Sequence, residues 1–334
     1  VAPEARRAAG IPGLPRNVVA LGVVSLFTDL STAMIVPVLP LFVVGVLRGT
    51  AAQVGLIEGV AESTASLLRV VSGWLSDRIG RRKPFLVFGY GVSTVAKAAM
   101  GVTGSWIAIL GLRFSDRLGK GIRNPPRDAL IADSVEPRYY GRAFGFHRAL
   151  DTIGSALGPL AALAVLSAFP GDYRRVFLLS GVPGVLSVLV LMTFVRSRGG
   201  AAAPARREHI AFSQLGAPFY RFVTAAGLFA LASSSIAMLL LLAKRAGLDE
   251  RGVTLVFLLF NVVSAALSWP VGELSDRVGR RPLVLGAYLL FATLYALLAW
   301  RATPFMVVVG FAVLGVQSAL HEGTEKSLLA DLLS

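Results

Sequence analysis

The sequence predicts an all-α membrane protein built as two copies of one helical bundle, and three observations lead there. Apolar segments of roughly 20 residues, the length that crosses a bilayer as a helix, recur along all 334 residues. Composition agrees, at 55% hydrophobic and 16% charged, where soluble domains carry roughly 25% charged residues. The string G-W-L-S-D-R-I-G-R-R at residues 73–82 returns as G-E-L-S-D-R-V-G-R-R at 272–281, identical at eight of ten positions. Recurrence at such an interval marks an internal duplication. The apolar runs are too long and unbroken for the alternating strands of a membrane barrel.

Taken in order, the first span covers about Val18 to Leu47, carries Asp29 and is bent by Pro37 and Pro40. The second runs from Val54 to Leu75 with Glu58, Glu62 and Arg69 inside it, and the third from Phe85 to Val102 with Lys97. The fourth starts near Trp106 and closes in the polar stretch R-F-S-D-R-L-G-K-G-I-R-N-P-P-R-D, residues 113–128. The fifth spans Gly141 to Phe169 and the sixth Val176 to Val195. Residues 196–215, rich in Gly, Ala, Pro and Arg, read as a linker. Four spans follow, Phe219–Ala243, Val253–Leu274, Pro282–Trp300 and Phe305–Leu320. The domains are therefore an N-terminal six-helix bundle at 1–195, the linker at 196–215, and a C-terminal bundle at 216–334 with four helices.

The register of the copies is sharp. Pro84 aligns with Pro282, and R-D-A-L-I-A-D (127–133) with E-K-S-L-L-A-D (325–331), both at an offset of 198. The first copy continues past that point for two more spans, so the second is expected to do the same beyond Ser334. That puts helices 11 and 12 outside the sequence in hand, in a protein of roughly 400 residues that is a monomer when full length.

A net charge of +14 would suggest nucleic acid for a soluble chain. Here the basic residues sit in short loops beside apolar spans, where they set orientation. Few of them (Arg48, Arg174, Arg175, Lys244, Arg245, Arg251 and Arg301) fall on one side. The richer side holds both repeated loops, the linker and the N-terminus, which places these in the cytoplasm of a multi-pass protein of the cell membrane. No nucleic-acid partner is expected. Cysteine is absent, which excludes disulfides and thiolate chemistry. No P-loop or other nucleotide signature is found, so the sequence predicts neither an ATP-driven pump nor an enzyme, and it implies no cofactor. His321, Glu322 and Glu325 form H-E-x-x-E, a weak ligand set, and no metal is expected there.

Gly73, Leu75, Ser76, Asp77, Arg78, Gly80, Arg81 and Arg82, with the second copy at Gly272, Asp276, Arg277, Gly279 and Arg280, resemble the loop signature of the major facilitator superfamily. On the fifth span Gly145, Gly154, Gly158 and Pro159 resemble that family's antiporter motif, with Ala161 and Ala162 where glycines usually close it. On the fourth, only Arg113 carries over, because Asp116 stands where glutamine is usual. The resemblance implies a fold of two six-helix bundles, here with the last two helices missing. It implies secondary active transport of a small solute, with the bundles rocking about a central site, and it points to proton-coupled drug or metabolite exporters. It also implies a conformational latch at the two loops, with Asp77 and Asp276 ending their helices and bridging to neighbours.

Charges inside the spans carry the transport argument, since each costs about 2.5–3.5 kcal/mol at mid-bilayer unless it is paired or hydrated. Glu58, Glu62 and Arg69 are spaced by four and seven and share one helix face. Asp29, Lys97, Arg113 and Asp116 are expected to join them around a cavity. Proton coupling needs a protonatable carboxylate near a base, and Asp29, Glu58 and Glu62 are the candidates. The competing readings put Glu58 in solvent near the outer end and make Glu62 a static partner of Arg69. On the fifth span Arg148 and Asp151 suit a cytoplasmic gate, and His147 either a titrating or a packing role. Phe27, Met34, Phe146, Phe229, Met238 and Asn261 are candidates for facing the cavity. Uniport, inorganic-ion export and a non-transporting receptor or assembly scaffold are the alternatives; interior charges count against the scaffold.

Overall fold

The computed structural model describes residues 14–136, 139–196 and 216–333; residues 1–13 and most of the linker lie outside them, as do the side chains of Asp276 and Glu322. All regular structure among the described residues is helical. The chain divides into two compact units, Val1–Ala205 and Arg206–Ser334.

The first unit starts with α1 (Arg16–Ile35). The sequence suggested one bent span to Leu47, and Arg16–Val46 is one candidate membrane span, with its α-helix interrupted just before Pro37. Proline lacks the N–H that would continue the ladder and restricts the residue before it. A short α2 (Val38–Leu41) then runs into a π-helical turn, Phe42–Val46. Next, α3 (Ala51–Ile79) is started by a reciprocal capping box between Thr50 and Gln53 and ended by Gly80 at φ 68°, a left-handed conformation in which glycine pays no Cβ penalty. The remaining helices are α4 (Lys83–Ala99), α5 (Trp106–Ala132), α6 (Tyr140–Ala168) and α7 (Tyr173–Phe194).

Within this unit α1 packs on α6 and α7, α3 on α5, and α4 on α5 and α7. Two glycines set the first of these approaches. A Cβ at Gly154 would overlap the Leu26 backbone, and one at Gly158 would overlap Ala33, so α6 rides directly on α1. One apolar core gathers Val18, Leu21 and Val24 of α1, Leu86 and Tyr90 of α4, Leu130 and Ile131 of α5, Ala143 of α6 and Leu191 of α7.

The fourth span departs from expectation. The stretch 113–128 reads as a loop because it is polar and holds Pro125 and Pro126, yet it is helical throughout, and α5 runs on to Ala132. Pro125 cannot donate to the carbonyl of Gly121 four residues back. The Ser72 hydroxyl on α3 donates to that carbonyl instead, at 2.8 Å. With the freed acceptor satisfied, the helix tolerates its prolines.

The second unit comprises α8 (Ala217–Ala232), α9 (Ile236–Arg245), α10 (Glu250–Val278), α11 (Arg280–Trp300) and α12 (Pro304–Leu333), with α10 and α11 both packed on α12. The single span expected over Phe219–Ala243 is broken at residues 233–235, three serines in a row. Ser233 Oγ donates back to the Phe229 carbonyl at 2.8 Å, the local bonding by which serine competes with the helix ladder.

Eight helical segments among the described residues are long and apolar enough to cross a membrane. Large apolar side chains such as Leu67, Val70, Val95, Leu231 and Trp300 are exposed, as lipid contact requires. Two long helices, α3 and α5, fall outside those eight. At 27 residues α5 is still about 40 Å long. Both are disqualified by charges, and those charges face each other.

Candidate functional site

Arg113 of α5 is the centre of the charged cluster and is 1% exposed. Its Nε donates to Glu58 Oε1 at 2.9 Å and Nη2 to Glu58 Oε2 at 3.1 Å, a bidentate pair across to α3. Its Nη1 donates to Asp116 Oδ2 at 3.1 Å. Asp116 also accepts from the Ser93 hydroxyl of α4. Arg117 continues the chain, 3.9 Å from Asp116 and 3.5 Å from Glu62. Lys97 of α4 is fully buried and donates to Thr32 Oγ1 of α1 at 3.2 Å. Four helices thus share one polar seam inside a single unit.

Two readings of these residues need correction. Glu58 does not face solvent; it is buried under Arg113. Glu62 and Arg69 do not form the static pair of the competing reading: the cation beside Glu62 is Arg117, and Arg69 is exposed. Spacing along α3 placed the carboxylates together correctly, but the cations come from α5.

Asp29 is half-buried on α1 and makes no hydrogen bond or ion pair among the described residues. The charges that act on it are Asp151 of α6 and Lys120, Arg123 and Arg127 of α5. Beside it, Ser25 Oγ and His147 Nε2 are hydrogen-bonded at 2.9 Å, and Arg127 Nη1 donates to the same Ser25 oxygen at 3.3 Å. His147 Nδ1 lies 3.8 Å from Asp151 Oδ2. His147 therefore ties α6 to α1, whereas Arg148, read from the sequence as a gate residue with Asp151, is on the exposed side.

Of the fifth-span motif, Gly154, Gly158 and Pro159 are buried against α1, and Gly145 borders open space. In the first loop Asp77 is 3.8 Å from Arg82, which also pairs with Asp133 at the end of α5. Arg78 lies over the Trp74 ring, Arg81 is exposed, and Gly73 is in ordinary contact with Pro125. Lys83 Nζ donates to the carbonyls of Met192 and Val195, capping α7. In the second loop Gly279 has φ 92°, Gly272 borders open space, and Arg277 and Arg280 flank the turn; the side chain of Asp276 lies outside the described residues.

Among the cavity candidates, Met34 is core, Phe146 packs beside Gly22, and Asn261 donates to its own helix at Phe257. Met238 and Phe27 are half-buried. Phe229 stacks on Tyr288 at 4.3 Å and sits 5.0 Å from the His321 ring. His321 Nε2 is 3.1 Å from Glu325 Oε2, so the two side chains meet each other within α12. The reading of single spans missed Tyr90, Lys120, Arg123 and Arg127. Their signal was the recurrence of cations at 113, 117, 120, 123 and 127, a helical stripe hidden by the loop-like prolines.

The chain belongs to the Major Facilitator Superfamily, whose pattern it matches over residues 21–331. It is 30% identical over 327 residues to an uncharacterized MFS-type transporter of Methanocaldococcus jannaschii, covering 96% of this chain and 81% of that one. It is 28% identical over 197 residues to the multidrug resistance protein MdtG of Enterobacter lignolyticus, covering 58% of this chain and 46% of that one. Its fold resembles the crystal structure of a bacterial homologue of the human lysosomal transporter Spinster in an inward-facing, occupied conformation. There the TM-score is 0.68 at 18% identity, over 95% of this chain and 77% of that one. The protein is thus a multi-pass membrane transporter, and a small-molecule substrate goes with the family.

Proposed function

We propose that the protein is a secondary active transporter that moves a small solute out of the cell in exchange for protons, by alternating access. Asp29 carries this reading: a half-buried carboxylate without a hydrogen-bond partner among the described residues, within reach of Lys120, Arg123, Arg127 and a second acid, Asp151. Such a group gains or loses a proton when water reaches it from the other side, which is what coupling requires. The Glu58–Arg113–Asp116 network is the rigid frame beside it, and Glu62 a secondary candidate. Outward direction is supported by the α6 glycines on α1 and by the likeness to MdtG proteins. The reading includes a cytoplasmic N-terminus and linker, latches at the two repeated loops, and a monomer in lipid.

The test uses proteoliposomes with an imposed pH gradient. Protons entering with a broad solute panel inside should drive solute efflux, and Asp29→Asn should abolish the gradient-driven component while leaving exchange down a solute gradient. Flux indifferent to the gradient in the unmodified protein overturns proton coupling. Absence of flux for every compound overturns transport.

A further inference from the structure

The repeat offset of 198 aligns Tyr90 with Tyr288, Arg123 with His321, and Arg127 with Glu325. In the second unit these residues meet at one carboxylate, although His321 Nδ1 is buried without a hydrogen-bond partner among the described residues. Tyr288 OH donates to Glu325 Oε1 at 3.4 Å, His321 Nε2 lies 3.1 Å from Glu325 Oε2, and the two rings are 5.8 Å apart. One carboxylate serves both partners.

The first unit keeps the tyrosine, carries an arginine in place of the histidine and lacks the acceptor. Arg123 lies over the Tyr90 ring at 4.4 Å. The arginine is 4% exposed and the tyrosine 1%. Arg123 Nε and Nη1 and Tyr90 OH are buried with no hydrogen-bond partner among the described residues. Where the second unit supplies Glu325, the first supplies Arg127, a further cation, within electrostatic reach of Tyr90. Lys120, one turn before Arg123, also makes no hydrogen bond among the described residues. The nearby acids do not fill the gap: Asp29 bonds to none of these donors, and Asp151, with Oδ2 3.8 Å from His147 Nδ1 and Oδ1 buried without a partner among the described residues, bonds to none of them either. Leaving buried donors unmade is costly, most of all on a guanidinium. Three such donors in one place describe a site whose acceptor comes from elsewhere.

We infer that Tyr90, Arg123 and Lys120 bind an oxyanion, a carboxylate or phosphate group of the transported solute, at the place that Glu325 fills in the second unit. Assigning the oxyanion to the solute rests on the transport reading above. Arg suits the task, since its planar fork meets carboxylate and phosphate oxygens with paired N–H bonds. The solute class is therefore organic anions or phosphate-bearing compounds, not the lipophilic cations often associated with drug export.

The full chain in neutral detergent provides the test, by thermal unfolding at constant ionic strength with phosphate, acetate, succinate or citrate added, and tetraethylammonium as the cationic control. At least one anion should raise the midpoint saturably. Arg123→Gln should weaken its apparent affinity about tenfold or more, the loss of a charged hydrogen bond. Arg123→Lys should fall between. Tyr90→Phe, which removes one hydroxyl and keeps the ring, should weaken it roughly three- to tenfold and stands in if the glutamine variant does not fold. Protection by no anion, equal protection of all variants, or protection by tetraethylammonium alone overturns the inference. Nanodiscs of phosphatidylcholine and phosphatidylglycerol separate the lipid source. Stabilisation by the anionic lipid with no effect of soluble anions overturns assignment to the solute. Saturable anion binding without flux in proteoliposomes leaves the site standing and removes the transport reading, and cation flux without anion protection does the reverse.

Discussion

The two copies of the repeat place opposite chemistry on the same scaffold positions. Glu58, Arg113 and Asp116 correspond to Phe257, Phe311 and Leu314, and all six are buried. Further along α5, Arg117 and Lys120 correspond to Gly315 and Ser318 on α12, and Lys97 of α4 to Tyr295 of α11. One unit is held by ions at the places where the other is held by apolar side chains. A buried ion network is seldom more stable than the apolar packing that could replace it. The second copy demonstrates that replacement within the same chain. On the proposed function the ions of the first unit serve coupling and anion binding, which would put the working chemistry in that half.

The largest expected effect breaks the network at its centre. Arg113→Met leaves Glu58 and Asp116 buried without their cation and should cost about 3–5 kcal/mol, read as a fall in unfolding midpoint in detergent. Phe311→Leu, at the matching position, should cost under about 1.5 kcal/mol. Equal losses would erase the contrast. The triple replacement Glu58→Phe, Arg113→Phe, Asp116→Leu, which copies the second unit, should recover most of that stability and still fail to transport.

Next in size is helix packing. Gly158→Val drives a side chain into Ala33 and should destabilise by about 1–3 kcal/mol. Gly145→Ala borders open space and should be neutral or stabilising by up to about 1 kcal/mol. Comparable penalties at both would mean that the glycines do not set the α1–α6 approach. Substituting Gly80 by Ala forces a left-handed backbone on an L-residue, at about 1–2 kcal/mol, and thermal unfolding should show the same direction for Gly279→Ala.

The smallest effect sharpens the comparison most. Tyr288→Phe removes a hydroxyl that donates to Glu325 and should cost about 0.5–1.5 kcal/mol. In anion-free buffer Tyr90→Phe removes a hydroxyl that has no partner, so it should cost nothing or stabilise. Anion should reverse that order.

Much of this was legible in the sequence. The duplicated loop, the spans and the presence of charges inside them follow from apolar run length and from an offset that aligns two stretches independently. Pairing was not legible. Glu58 and Glu62 lie on one face of α3 as their spacing demands, but nothing along a single helix says that Arg113 and Arg117 will reach them. The basic stripe was hidden for a second reason. Pro125 and Pro126 are reliable stop signals for a helix judged alone, and they fail here because the acceptor that Pro125 leaves open is met from α3.

That bond, from Ser72 to the Gly121 carbonyl, has a mechanical consequence. Ser72 immediately precedes the signature loop, and Gly121 lies between Lys120 and Arg123, so the weakest joint of the cation-bearing rod is pinned by the base of the turn. Gly73, the next residue, is in contact with Pro125 itself, so α3 holds the proline joint of the charged rod at two successive residues.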